Sequence, residues 1–374
     1  MTLQNRKTTS LFDLIGRKWT TGKSVKNSII NYCGTTACFS TADGHLVIIS
    51  LSDEEAPHTR IRICGDTGRS TITPRTTPIT EANIIDLGGD QSLPISNYKE
   101  SSFLVGDQNG KIKIISANGD ISDSEEKLDG AIIDIDHHYS SGLSACISKE
   151  KILIYGEKIN KKVIFAQSST NFSAISFSPD GKKLSATNEK EIAIWNVTNI
   201  GDEPIRIALK AKSSNIYWKA DQEWILCTLE DNGLALISLS DRKVTYLNDF
   251  PGPVTAASWC EKENIFVASG AFRTTAWSLT EETEASPHKA LQSGRSGLVL
   301  VTMVATNFKN DFIAVGYENG QVILTKPGLP DELLLHSEGT SITSLSWSED
   351  AKHLAIGFEG GDTAIIDFPP QMFK

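Results

Sequence analysis

The chain has 374 residues, 39% hydrophobic and 22% charged, which is enough apolar material for a sizeable core and excludes a disordered polypeptide. Lys and Arg number 36 against 46 Asp and Glu, for a net charge of −10. So acidic a molecule repels phosphate backbones, and nucleic acid is not an expected partner. The six cysteines, Cys33, Cys38, Cys64, Cys146, Cys227 and Cys260, include no Cys-x-x-Cys pair and read as buried thiols in a reducing compartment, not as a disulfide framework.

Met1 to Lys18 has no apolar leader segment, because Asp13 interrupts Leu11-Phe12-Asp13-Leu14-Ile15. The most apolar later stretch, Leu298 to Val304, is far too short to cross a bilayer. A soluble, cytoplasmic protein without a membrane partner is expected. Gly16 to Gly22-Lys23-Ser24 is the nearest approach to a phosphate-cradling loop. Five residues separate its glycines where the loop needs four. Val25 to Tyr32 then reads as a strand, not as the helix whose N-terminus would face a phosphate. The segment is read as a solvated linker. A second partial match, Gly65-Asp66-Thr67-Gly68-Arg69-Ser70-Thr71, reads as a loop.

From Leu46 onwards one pattern recurs: an apolar residue, any residue, an aliphatic residue and a bulky one. It ends at Ile49, Ile115, Tyr155, Trp195, Ile237, Trp277, Thr325 and Ile366, at intervals of 66, 40, 40, 42, 40, 48 and 41 residues. A period near 40 is the length of a four-stranded propeller blade. The copy ending at Trp195 shows the other parts. Ser173 to Phe177 alternates as a strand, Ser178-Pro179-Asp180-Gly181 is a tight turn, and Lys183 to Thr187 is the next strand. Gly and Asn mark the turn before the third strand in Ala42-Asp43-Gly44, Asp107-Gln108-Asn109-Gly110, Glu230-Asp231-Asn232-Gly233 and Glu318-Asn319-Gly320, where a hairpin needs positive φ. Fourth strands, such as Ile205 to Leu209, Val244 to Leu247 and Leu333 to His336, are weaker and belong on the outer edge. Eight copies predict eight blades, or seven if the first copy is irregular. The eighth lacks a fourth strand, which Leu11 to Ile15 is expected to supply, closing the ring from the N-terminal end. One propeller then spans residues 1–374, with irregular insertions at 52–82 and 88–100.

Phe177-Ser178-Pro179-Asp180-Gly181 with Ile194-Trp195-Asn196 resembles the WD40-repeat family. The layout as a whole, through Ala355-Ile356-Gly357-Phe358 and Ile366-Asp367, is similar to compact, stand-alone bacterial WD-repeat proteins. The resemblance implies a propeller whose loops bind other proteins, and it implies no activity. Only Asp367 occupies the Asp of the family's Trp-Asp pair, and the Gly-His pair that opens a typical repeat is missing from every copy. Packing is therefore expected to hold the blades, through Trp195 and Trp277 on third strands and Trp218, Trp259 and Trp347 on first strands.

Asp134, Asp136 and His138 alternate on one side of a first strand, with His137 opposite. Carboxylate and imidazole suit zinc or manganese, but His45, His58, His288, His336 and His353 lie in other copies, so the group reads as polar lining of a wet channel. Glu125-Glu126 and Glu281-Glu282 read as solvated loop residues. No nucleophile elbow or zinc-protease motif occurs, and no catalytic residue, cofactor or metal is assigned. The insertion after the first copy carries Arg60, Arg62, Arg69 and Arg75 among Thr, Ser and Pro, a basic island on an acidic chain and the best candidate for a partner surface. The expected function is a protein-interaction scaffold or assembly subunit, monomeric on its own and without catalysis. Its rival is a propeller enzyme or a small-molecule or metal sensor that uses the central channel.

Overall fold

The computed structural model describes residues 9–156, 159–165, 171–199, 201–279, 290–307 and 309–373. The expected residues His288 and Glu281-Glu282 lie outside these. The described strands form eight four-stranded antiparallel sheets and one two-stranded hairpin. The innermost strands are Val25–Ile30, Ile95–Tyr98, Asp134–His138, Ala174–Phe177, Ser213–Trp218, Ala257–Cys260, Val301–Thr306 and Ile342–Trp347, here the axes of blades one to eight. Each packs against the innermost strand of the blade before and the blade after, and the first packs against the last. The result is a closed ring of eight blades, almost wholly β.

Each blade is sandwiched between two others, so its middle strands are buried on both faces. Thr36–Thr41, Leu143–Ile147, Gly233–Ser238 and Ile313–Tyr317 are buried at every position. Continuous burial calls for continuous apolar runs and not for strict alternation, which is why the third-strand pattern is the strongest signal in the sequence. Apolar clusters fill the eight clefts between neighbouring blades. Between blades three and four, for example, Ile147, Ile152 and Ile154 meet Phe172, Phe177, Leu184 and Trp195.

The five expected tryptophans are buried, between 5% and 9% exposed. Those on innermost strands also reach back to the preceding blade. The Nε1 of Trp218 donates to Ser185 Oγ at 2.9 Å, that of Trp259 to the Tyr217 carbonyl at 3.0 Å, and that of Trp347 to the Ala305 carbonyl at 3.2 Å. Packing and a repeated hydrogen bond thus act together.

Three expectations are corrected. The strand that closes the ring is Gly16–Thr20, paired with Asp362–Asp367 so that Gly16 faces Ile366 and Thr20 faces Asp362. Leu11–Ile15 is instead a short helix, capped reciprocally by Ser10 and Asp13. Its apolar residues pack on the cluster between blades seven and eight. The supposed linker at Gly16 is therefore a strand, with Arg17 and Trp19 buried and Lys18 and Thr20 exposed. Second, the tract 88–100 carries Ile95–Tyr98, the axis of blade two. Third, Glu125 and Glu126 lie on the strand Ile121–Lys127, the outer edge of that blade. Charge along an exposed edge discourages pairing with other chains.

Asp367 keeps a side-chain network at this closure. It accepts from Arg17 Nε at 2.9 Å and Nη2 at 3.3 Å, and lies 2.7 Å from His353 Nδ1. Arg17 also donates to the carbonyls of Ser50 and Leu51 in blade one. One buried guanidinium joins the last blade to the first.

Candidate functional site

The innermost strands begin on one face of the ring and end on the other. Their outward strands carry the blade, whereas their inner edges have no strand partner, so backbone groups there need other partners. Side chains of the neighbouring axis supply them. Asp134 Oδ2 accepts from the Ile175 amide at 2.9 Å and Asp136 Oδ2 from the Phe177 amide at 2.7 Å. Thr302 Oγ1 donates to the Ile342 carbonyl at 2.7 Å, Asn97 Nδ2 to the Ile30 carbonyl at 2.9 Å, and Asn215 Nδ2 to the Thr255 carbonyl at 3.3 Å. These five side chains bond one blade to the next.

The group Asp134, Asp136, His137 and His138 is divided by this arrangement. The other carboxylate oxygens of Asp134 and Asp136 accept from the Ile135 and His137 amides, each at 2.9 Å. His138 turns out past the strand end, with Nδ1 2.9 Å from Ser141 Oγ and Nε2 3.0 Å from the Pro179 carbonyl. It lies over Gly181, whose φ is +68° and where a Cβ would come within 2.2 Å of the ring. His137 is buried on the opposite side, its Nδ1 2.8 Å from Ser144 Oγ. No three metal-ligating side chains converge among the described residues. Burial pushes Asp134 up to about 7, against the two backbone hydrogen bonds and reinforced by the charge of Asp136. Burial raises Asp136 as well and lowers His137 to about 4.

The face where the axes begin holds two adjoining hollows. A cavity of about 450 Å³ at the channel mouth is lined from five blades, by Lys26 to Ile29, Ser92, Pro94, Ile95, Ile133, Asp134, Ser173, Ser214 and Asn215. A cleft of about 670 Å³ runs outwards between blades two and three, past Gln91, Asp129 to Ile132 and Ser148 to Lys151, and shares Ser92 and Ile133 with the cavity. No linear motif announces this set, since each blade gives one to four residues and only ring closure collects them. At the far end of the channel Tyr32, from blade one, stacks obliquely on Tyr139 of blade three with centroids 4.9 Å apart. The Tyr32 hydroxyl donates to the His137 carbonyl at 3.0 Å.

The insertion after His45–Ser50 leaves from the opposite face. It forms a hairpin, Ile61–Ile63 with Ser70–Ile72, and its turn is the loop read at Gly65 to Thr71. The four arginines separate into two roles. Arg60 is 7% exposed and donates to the carbonyls of Glu55, Thr73 and Leu14. Arg75 pairs with Asp53, which also lies 3.8 Å from Arg17. Glu55 ties down Thr76 and Thr77. Arg62 and Arg69 are exposed along with almost all of residues 62–71, and Ile63 is 71% exposed. A fixed base therefore carries an open tip.

No protein-family model and no curated protein matches the chain. Among solved structures it is similar to the β-propeller domain of Cps50 (Swd1) from Myceliophteria thermophila, at 12% identity and a TM-score of 0.54, over 95% of this chain and 100% of that one. It is also similar to the C-terminal WD40 domain of Sif2, at 12% identity and a TM-score of 0.63, over 95% and 99%. Such identities speak for architecture alone. With eight four-stranded blades around one axis and a closing strand from its N-terminal end, the chain has the fold of the WD40 β-propellers.

Proposed function

We propose that this propeller is an interaction scaffold that holds protein partners on its loops and contributes no reacting group of its own. The observation that carries this reading is the hairpin at residues 61–72. Its base is fixed by Arg60, Arg75, Asp53 and Glu55, while its tip offers Arg62, Arg69 and Ile63 to solvent. Loops on a rigid scaffold are where binding concentrates. Two guanidiniums beside an exposed isoleucine suit an acidic patch with an apolar centre on a protein. The net charge of −10 disfavours nucleic acid as an alternative. Cys33 and Cys64 are exposed, against the expectation of six buried thiols, while the four buried ones, Cys38, Cys146, Cys227 and Cys260, support work in a reducing compartment such as the cytoplasm.

Affinity capture from the native cell tests it. The double variant Arg62→Glu, Arg69→Glu should lose partners that the unmodified chain retains, and an unchanged set of captured proteins removes the hairpin as the docking element. Arg60 and Arg75 are left alone in this experiment because they hold the base. The rival reading, a small-molecule sensor in the channel, draws its support from the polar cavity at Asp134.

A further inference from the structure

We propose that the cavity at the channel mouth binds an organic cation, an ammonium or guanidinium on a narrow aliphatic stem, with its charged head paired to Asp134. This names a ligand class for the channel reading and does not depend on the hairpin, which leaves the other face.

Asp134 lines the cavity, and among the described residues no cation pairs with it. The charges and dipoles that act on it are the Ile135 and Ile175 amides and the carboxylate of Asp136. An ionised carboxylate has about four acceptor sites, and the two amides occupy one on each oxygen. Acceptor capacity is left over beside a hollow of about 450 Å³. A carboxylate that burial holds close to neutrality gains more from an incoming cation than a solvated one, because water no longer screens the pair. Ser28 adds a further polar residue to the wall of this space. The rest of the polar wall, Asn27, Ser173, Ser214 and Asn215, is neutral and can accept N–H groups. Ile29, Ile95 and Ile133 supply apolar surface for a stem. The one basic group, Lys26, is exposed at the rim, where water and salt screen its repulsion.

The cation has two sources, a free small molecule or a Lys or Arg side chain of a partner whose backbone lies along the adjoining cleft between blades two and three. Titration calorimetry of the intact chain with n-butylguanidinium and with its neutral isostere N-butylurea tests the shared chemistry. The guanidinium should bind and the urea should not. Asp134→Asn should weaken binding at least about tenfold, the loss of one charge-assisted hydrogen bond. Ser214→Leu, which fills the mouth from an exposed side chain and leaves Asp134 in place, should also abolish it. Circular dichroism checks that each variant folds. The peptide acetyl-Gly-Gly-Arg-Gly-Gly-amide binding more tightly than n-butylguanidinium identifies a protein side chain as the source, and weaker binding identifies a free cation. The Arg62→Glu, Arg69→Glu chain should bind the guanidinium unchanged. Equal binding of urea and guanidinium overturns the proposal, as does full affinity in either Asp134→Asn or Ser214→Leu, or no heat with n-butylguanidinium at any soluble concentration.

Discussion

Arg17 shows how much one side chain can carry at a ring closure. It is 4% exposed and bonds Asp367 in the last blade and two carbonyls in the first. Replacing it by methionine keeps the volume but leaves buried carboxylates short of a cation, a loss of the kind that costs about 3–5 kcal/mol. Arg75 remains on Asp53 and His353 on Asp367, so Arg17→Met should lower stability by about 3 kcal/mol, the low end, in urea denaturation. Asp134 and His137 act on pH dependence with opposite signs. Asp134 is raised from 3.8 to about 7, so its contribution is full below its unfolded value and is lost as pH rises through 7. His137 is lowered from 6.5 to about 4, so its contribution is full above 6.5 and is lost as pH falls through 4. Between about pH 4 and 6.5 the folded chain keeps both neutral while the unfolded chain charges both, and the two slopes cancel. Asp134→Asn removes one of them. Its urea midpoint relative to the unmodified chain should therefore shift in the variant's favour from pH 5 to pH 8, and a constant difference would refute the assignment. A further loss is expected at Trp347→Phe, which removes the pyrrole ring from a buried site and strands the Ala305 carbonyl, for at least about 1 kcal/mol.

Among the elements, the third strands could be located in the sequence and the closing strand could not. A strand buried on both faces must be apolar throughout, and a hairpin turn before it must tolerate positive φ, so Leu234-Ala235-Leu236-Ile237 after Asn232-Gly233 is marked twice. Asn232 indeed has φ of 59°. Gly16–Thr20 is an outermost strand with only Arg17 and Trp19 turned inwards, and its apolar neighbour Leu11–Ile15 competes for attention. The Ser10–Asp13 cap was the available sign of a helix there. The channel cavity has no such sign, because its residues lie as far apart as Lys26 and Asn215. The basic island was visible as composition, but composition cannot separate Arg60, spent on carbonyls, from Arg62 in water. The hairpin tip should be dispensable for folding. Replacing residues 62–71 by a two-residue Asn-Gly turn should leave the thermal midpoint within a few degrees, since these residues are almost all exposed. A large drop would show that the tip supports the ring.

For the molecule as a whole, stability is shared around eight interfaces, each filled by its own apolar cluster. Opening any one exposes a sheet face or an edge. Removing residues up to Thr20 leaves Asp362–Asp367, buried at five of six positions, as an unpaired edge. That chain should self-associate through it, seen as a higher mass in light scattering than the full chain at equal concentration.

Closure from the N-terminal end also sets an order of events at the ribosome. Arg17 leaves the exit tunnel 350 positions before its partner Asp367. At about 5–20 residues per second, the interval is roughly 20–70 s. Throughout that time Gly16–Thr20 has no strand to pair with, while blades one to seven can already assemble beside it. Until the eighth blade is made, Gly16–Thr20 keeps an open strand edge, and that stretch is where a holding chaperone has something to grip.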